Sequence, residues 1–504
     1  MSDPLEPRGE SVDADELFPE QDLPEARVKR QVTARGAAIA GARVVAGLVG
    51  LGVAALTIGG AALIPFPTVR STPPSQLIEP VPTAQQLVCP GAVLRLADEA
   101  GEGATTSSAL GAPTISSDAS TGTVDSSAFS QSDAATGGTR EAPTLISTPP
   151  SASGDAEPPL LSGAQAQLVA EGEYVGLAAA SCQVASGEAW LVGGSTTVGR
   201  TTLLTLSNPT EVPATVDLTL YGESGQISAP GTSGIVVAPR GQRVLSLAGF
   251  RPDVLSPVVR VASRGGLVVA DLQQSLVRGL LPGGVDIVGP TAPSTENVIP
   301  GVVIADPAAV QPLLGGGAAF EDVRTVLRLF APGEEGTEAT VRVIPEGGTE
   351  TGNSFQFSLE AGRVAEVPLD ELASGSYTVR VETAVPVVAA VRVTAAAGES
   401  TDFAWATAAP VLTGSAQVTV ADGPGPLLHL HNPAAELVTV LVGDVPVEVP
   451  GGGSATVPVE GGRSILLTGF ERLYAAVSFV DAGMIAHYTV PPPGVSSGPI
   501  VIYP

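Results

Sequence analysis

Positive charge is the scarcest commodity in this sequence. Its 24 Lys plus Arg, of which Lys29 is the one lysine, stand against 51 Asp plus Glu, for a formal net charge of −27. A nucleic-acid partner needs a basic surface and is excluded on that ground. Two cysteines exclude a disulfide-dense mini-scaffold and a multi-cysteine zinc or iron–sulfur protein. Aromatic residues make up 4%, but a 44% hydrophobic share with 15% charged residues argues against a wholly disordered chain. The motifs of several chemistries are missing too. There is no G-x-x-x-x-G-K-[ST] phosphate loop, and Gly193-Gly194-Ser195 is a glycine turn without a following helix pattern or lysine. G-x-S-x-G at a strand–helix junction, H-E-x-x-H and EF-hand loops are likewise absent. No residue is therefore assigned a catalytic, cofactor-binding or metal role, and no cofactor is expected.

What is present begins with a membrane signal. Residues 1–26 are acidic, and Arg27, Lys29, Arg30, Arg35 and Arg43 form a basic flank. Val44 to Ile64 then runs without a charge and ends at Pro65. About 20 apolar residues span bilayer hydrocarbon. The positive-inside rule places 1–43 in the cytoplasm and the chain after about residue 65 outside. Gly60-Ala61-Ala62 would suit a signal peptidase, but signal peptides have shorter apolar regions and shorter leaders, so an uncleaved anchor is the preferred reading. Beyond residue 43 the chain holds 42 acids and 18 bases, net −24.

Residues 65–84 are proline-rich and read as an extended stalk. The segment 101–160 is mostly Ser, Thr, Ala, Gly, Pro and Asp, which predicts a disordered insert. Cys89 and Cys182 bracket it. An even pair in an exported chain predicts a disulfide. Closing a loop of about 90 residues contributes roughly 4–5 kcal/mol in the chain-entropy model.

The remainder repeats itself. Leu203 to Pro209, Val326 to Pro332 and Leu427 to Pro433 are each a period-two run ending at a proline turn, followed by a second run at Ala214–Leu220, Thr340–Ile344 and Leu437–Val442. Short strands at such intervals predict an all-β chain of tandem immunoglobulin-like β-sandwich modules, preceded by one transmembrane helix. The expected modules are 85–290 with the insert, 295–404 and 405–504. The best candidate for a short helix lies around Asp306–Leu314.

Few residues invite chemistry. His429 and His431 share one strand face and His487 lies on another strand; three imidazoles could bind zinc, but the expectation is polar side chains on a solvated strand. Asp271 and Asp481 look equivalent, just after a late strand in the first and third copies, which suggests a turn or cap rather than a glycosidase pair. Trp190 and Trp405 read as core or inter-domain packing residues.

Leu87-Val-Cys89-Pro-Gly91, Cys182, Trp190-Leu-Val-Gly-Gly194, Leu206-Ser-Asn208-Pro209 and Thr215-Val-Asp-Leu-Thr-Leu-Tyr-Gly222 follow the membrane segment in that order. The chain thereby resembles an actinobacterial family of single-pass, membrane-anchored extracytoplasmic proteins classed as a domain of unknown function. The resemblance implies actinobacterial origin and anchoring, and no activity. The functional expectation is a non-enzymatic structural or interaction scaffold of the cell envelope. Its partners would be the membrane, through one span, and an envelope protein or wall glycan. The alternative is a polysaccharide-binding or polysaccharide-processing accessory using loops near Trp190, Trp405 or Tyr474. Fold alone cannot choose between them.

Overall fold

A computed structural model describes residues 34–63, 76–78, 84–96, 107–131, 134–135, 141–150, 159–348, 352–369, 371–398, 400–494 and 500–502. The acidic tail, the basic residues Arg27, Lys29 and Arg30, and nearly all of the stalk lie outside the described residues. The N-terminal helix and the β body, Leu77–Ile500, are separate units.

The helix runs Ala34–Leu63. At 1.5 Å per residue its 30 residues measure about 45 Å. Its segment Arg43–Gly60 has a mean hydropathy of 1.7, long and apolar enough to cross a membrane.

In the β body, the three proline-terminated repeats form equivalent strands. Arg200–Asn208 lies between Val269–Arg278 and Gly241–Ser246, all antiparallel. Val326–Phe330 lies between Gly375–Ala397 and Val364–Pro368. Pro426–His431 lies between Arg472–Asp481 and Ser454–Pro458. In the first module an opposing sheet, centred on Ala214–Gly222 and Val258–Gly265, closes the sandwich. Alternate residues Val216, Leu218 and Leu220 face Leu204, Leu206, Ala270 and Leu272 across the core. A one-residue slip in Ala214–Gly222 would turn that row to solvent, so the alternation fixes the register. Asn208 and Asn432 explain the motif's asparagine. Each amide donates to two backbone carbonyls, one in the following turn and one at a strand end, Val212 and Val237 or Glu436 and Val449, and accepts the N–H of the residue two positions on.

The second module is built on one 23-residue strand, Gly375–Ala397. Its first part pairs with Ser294–Ile304 and Thr337–Pro345, and its last part with Val326–Phe330 and Ser400–Thr407. The expected short helix is present as Pro307–Val310 continued by a 3-10 turn, Gln311–Gly316. Asp306 caps it by accepting the Ala308 and Ala309 N–H groups.

One feature departs from the sequence reading. The segment 101–160 is not a disordered insert over its described residues. Thr114–Ala119 pairs with Leu161–Glu171, Thr144–Thr148 bridges Gln85–Cys89 and Asp125–Ala128, and Ser130–Gln131 adds a parallel edge to the first module. Composition misled because backbone ladders recruit these polar strands, while few apolar side chains are needed: Phe129, Leu145 and Ile146 supply the burial. The disulfide Cys89–Cys182 forms, with Cα atoms 4.2 Å apart, in a small core with Leu87, Ile146 and Leu161.

The modules also pack on one another. The hairpin Leu161–Ser181 packs Ala164, Ala166, Leu177 and Ala179 into the core of the C-terminal module. Asp402 ties this closure: its buried carboxylate accepts the N–H groups of Leu177, Val285, Phe403 and Ile485 at 2.9–3.2 Å. Gly284, at φ +117, leaves room for it. A Cβ there would lie 2.6 Å from the Asp402 carboxylate.

Candidate functional site

A cleft of about 970 Å³ lies between the first and second modules. Its charged lining comes from four places. Arg200 opens the first module's central strand, and Arg278 ends the neighbouring one. Arg328 sits mid-strand in the second module, and Arg392 lies on the long strand. Two carboxylates stand among them. Asp322, on the 3-10 turn Ala318–Val323, lies 2.9 Å from Arg200 Nη2, 2.7 Å from Arg278 Nη2 and 3.5 Å from Arg392 Nη2. Glu366 accepts from Arg328 Nε and Nη2 at 2.9 and 2.7 Å. Arg324, Glu321 and Asp253 stand exposed at the rim.

Most of the guanidinium donors are spoken for. Arg328 Nη1 donates to the Gly194 and Pro257 carbonyls at 3.1 and 2.9 Å, and its guanidinium lies 4.3 Å from the Trp405 ring centroid. Arg278 donates to Ala319 O and Thr401 Oγ1. Arg392 differs: its guanidinium lies 5.1 Å from the Phe403 ring centroid, but Nε and Nη2 have no hydrogen-bond partner. Burial raises the carboxyl pKa of Asp322, but the charges of Arg392, Arg278 and Arg200 outweigh it and hold Asp322 below the usual carboxylate range. Burial pulls the Arg328 and Arg392 guanidiniums below their ordinary value.

A second polar constellation lies between the second and third modules. His429 is fully buried, not solvated. Its Nδ1 is 2.5 Å from Glu346 Oε2 and its Nε2 is 2.8 Å from Ser478 Oγ. This serine–histidine–carboxylate order is that of an activated nucleophile. Burial raises the Glu346 carboxyl pKa, but His429 and hydrogen bonds from Gly301 N and Thr456 Oγ1 bring it down to about 2. Thr378 Oγ1 also donates to it at 2.8 Å. Ser478 is 1% exposed. A substrate has no path to its oxygen, so the relay as it stands is an inter-module tie.

The other expected residues fall as follows. His431 is buried, with Nδ1 2.9 Å from Ser454 Oγ, and His487 Nε2 donates to Pro300 O. Burial lowers both to about 4, so they are neutral at pH 7. Among the described residues no group of three or more His, Cys, Asp or Glu is placed to hold a metal ion. The surface reading of the histidines failed because a neighbouring module covers their strand face, which strand periodicity cannot reveal. Asp271 and Asp481 are not equivalent. Leu206, Leu329 and Leu430 face Ala270, Ala389 and Ala475, so Asp271 corresponds to Ala390 and Ala476. Asp271 is buried without a hydrogen bond, and burial pushes its carboxyl up to about 7. Asp481 is an exposed hairpin residue.

Trp190 packs on Phe330 of the second module, with centroids 5.8 Å apart, and Trp405 donates Nε1–H to Gln274 of the first. Trp190, Trp405 and Tyr474 are all buried, at 5%, 2% and 5% exposed, so none of them offers a stacking face to a glycan. Trp190 borders a groove of about 670 Å³ with Tyr221, Arg260, Pro332 and Pro386. No signal in the sequence pointed to the arginines or to Glu346 and Ser478, because each gains its meaning from a residue distant along the chain.

A family model, described as a family of unknown function (DUF5719), matches residues 134–468. The chain belongs to DUF5719. The DUF5719 match takes in the whole arginine cleft and the Glu346–His429 pair, and ends before Ser478 and His487. No curated protein matches the chain.

Proposed function

We propose that this DUF5719 protein is a membrane-anchored, extracytoplasmic interaction scaffold of an actinobacterial cell envelope, without enzymatic activity. One apolar helix carries the β body, with the N-terminus in the cytoplasm, as the basic flank favours. The observation that carries the reading is the locking of the sandwich modules into one body. Arg328, Glu346 and Asp402 each join segments of different modules, and the Leu161–Ser181 hairpin closes onto the last module. A body of this kind presents fixed surfaces, as a scaffold requires. The one nucleophile-like serine is shut inside it.

Proximity labelling from the full-length chain in its own cells tests this. A reproducible set of envelope proteins, lost when the β body is deleted, is expected. Labelling confined to cytoplasmic proteins, or unchanged by the deletion, overturns it. The groove beside Trp190 favours a second reading, binding of wall polysaccharide, since the half-buried Tyr221 with flanking Arg260 and glutamates suits a sugar face. Retention of the chain on purified wall glycan, lost in Tyr221→Ala, would select it.

A further inference from the structure

We propose that the strand Asn353–Leu359 is a dimerisation edge: it pairs antiparallel with the same strand of a second copy of the chain, about a two-fold axis at Gln356. The inference goes beyond the scaffold reading and needs neither its envelope partners nor its membrane anchor. It starts from an unprotected edge. Asn353–Leu359 ends one sheet of the second module and, among the described residues, pairs with Thr337–Pro345 alone. A free strand edge is a row of unpaired N–H and C=O groups, and natural proteins blunt such rows with charge, proline or bulges. Two other edges of the body follow that rule: Val445–Val449 carries Pro446 and Glu448, and Val364–Pro368 carries Glu366 and Pro368. Asn353–Leu359 has seven residues, no charge, no proline and an unbroken register with its one neighbour.

The order of its residues says what covers the edge. Ser354-Phe355-Gln356-Phe357-Ser358 reads the same in both directions. Identical strands can meet antiparallel across a two-fold axis, and such a contact needs a self-complementary surface. With the axis at Gln356, each Ser354 faces Ser358 of the other copy and each Phe355 faces Phe357. Phe355 and Phe357 lie half-buried against the second module's core, while Ser354, Gln356 and Ser358 are exposed on the other face. The pairing therefore sets two aromatic pairs on the core side, where they cover each other's remaining surface, and a serine–glutamine–serine row outside. On the adjacent strand Glu338 stands beside Ser358 and Arg342 beside Ser354. Each outer row of the joined sheet thus runs from an acid in one copy to a base in the other, instead of setting like charges against each other. A seven-residue ladder is a small interface, so the association is of the weak, transient class.

The test uses the full-length chain in detergent micelles. Sedimentation equilibrium should show a reversible monomer–dimer equilibrium. Gln356 is exposed, and Gln356→Lys sets two ammonium groups face to face at the axis, which should weaken the dimer about tenfold or more. Cross-linking reads the register. Cys89 and Cys182 are bonded to each other, so Gln356→Cys introduces the one free thiol. Residues opposite each other in an antiparallel pair have Cα atoms about 4.5–5.5 Å apart, within disulfide reach, so mild oxidation should yield a covalent dimer. Thr340→Cys, one strand further in, places its two copies about 14 Å apart and should not cross-link. A chain that stays monomeric, a dimer indifferent to Gln356→Lys (as one formed through the N-terminal helix would be) or equal cross-linking of the two cysteine variants would each overturn the proposal. So would an edge filled by a strand of another protein, seen as a disulfide between Gln356→Cys and that protein in cells, with the chain itself monomeric.

Discussion

Arg328 and His429 occupy the same place in two copies of one β pattern. Each is the second residue of a Leu-x-Leu run, in the middle of a strand flanked by the same two neighbours, and each is buried beside a glutamate. Their consequences differ. Arg328 takes its carboxylate from its own module, since Glu366 faces it on the adjacent strand, and its long side chain reaches the Gly194 and Pro257 carbonyls of the first module. It forms part of an open wall. The shorter imidazole of His429 faces Thr456 on its adjacent strand and takes its carboxylate from the second module, and the joint around Glu346 is sealed. The first module has Thr205 at this place and no ion pair. A repeated strand thus supplies a site, and side-chain length and the neighbouring module decide whether that site becomes a tie or a cleft.

The comparison can be broken most sharply at Glu346. Removing one partner of a fully buried pair leaves the other uncompensated, so Glu346→Ala should cost about 3–5 kcal/mol, measured as the shift of the denaturant midpoint. Glu366→Ala should cost less, since the Glu366 side chain is 24% exposed and water can reach the gap. If the two losses are equal, the contrast between sealed and open joints fails. Opening the Cys89–Cys182 bond by Cys182→Ser should cost roughly 2–5 kcal/mol and loosen the 107–131 strands, readable by amide exchange.

Titration separates two groups of buried residues. Asp271 is raised in the folded state to about 7 from its ordinary carboxylate value, so its contribution is fully present below about pH 4 and is lost as pH rises to 7. Asp271→Asn should therefore match the parent near pH 4 and exceed it at pH 8, by at most about 4 kcal/mol. His487, lowered to about 4 by burial, acts in the opposite sense: the unfolded chain takes up its proton first, so stability falls as pH drops from about 6.5 to 4. His487→Gln, which keeps a donor for Pro300 O, should flatten that acid limb. An unchanged profile in both variants would mean these groups do not titrate as their burial requires. The smallest effect is expected of Ser478→Ala, about 1 kcal/mol from one lost hydrogen bond. Fluorophosphonate should label neither parent nor variant; labelling of the parent at Ser478 would contradict the sealed joint.

The strands were largely legible in the sequence because their residues alternate, and the apolar helix because it lacks charge over a membrane's width. The disulfide was legible from an even pair of cysteines in a chain whose sequence reads as exported. The strands within 107–148 were not, because a polar edge strand is held by backbone hydrogen bonds that composition does not register. Asp271 was mismatched with Asp481 because the following turns look alike, while true equivalence is set by ladder register against the Leu-x-Leu strand.

By itself, then, the sequence determined period, turns, the repeated pattern and the apolar helix, all properties written in the order of residues along the chain. Tertiary structure alone decided which polar side chains are buried and whom they meet. Glu346 meets His429 across 83 positions, Arg200 meets Asp322 across 122, and Leu177 meets Asp402 across 225. The physical reason is that a buried charge derives its energy from its neighbours in space, and those neighbours exist only once the modules have closed on one another.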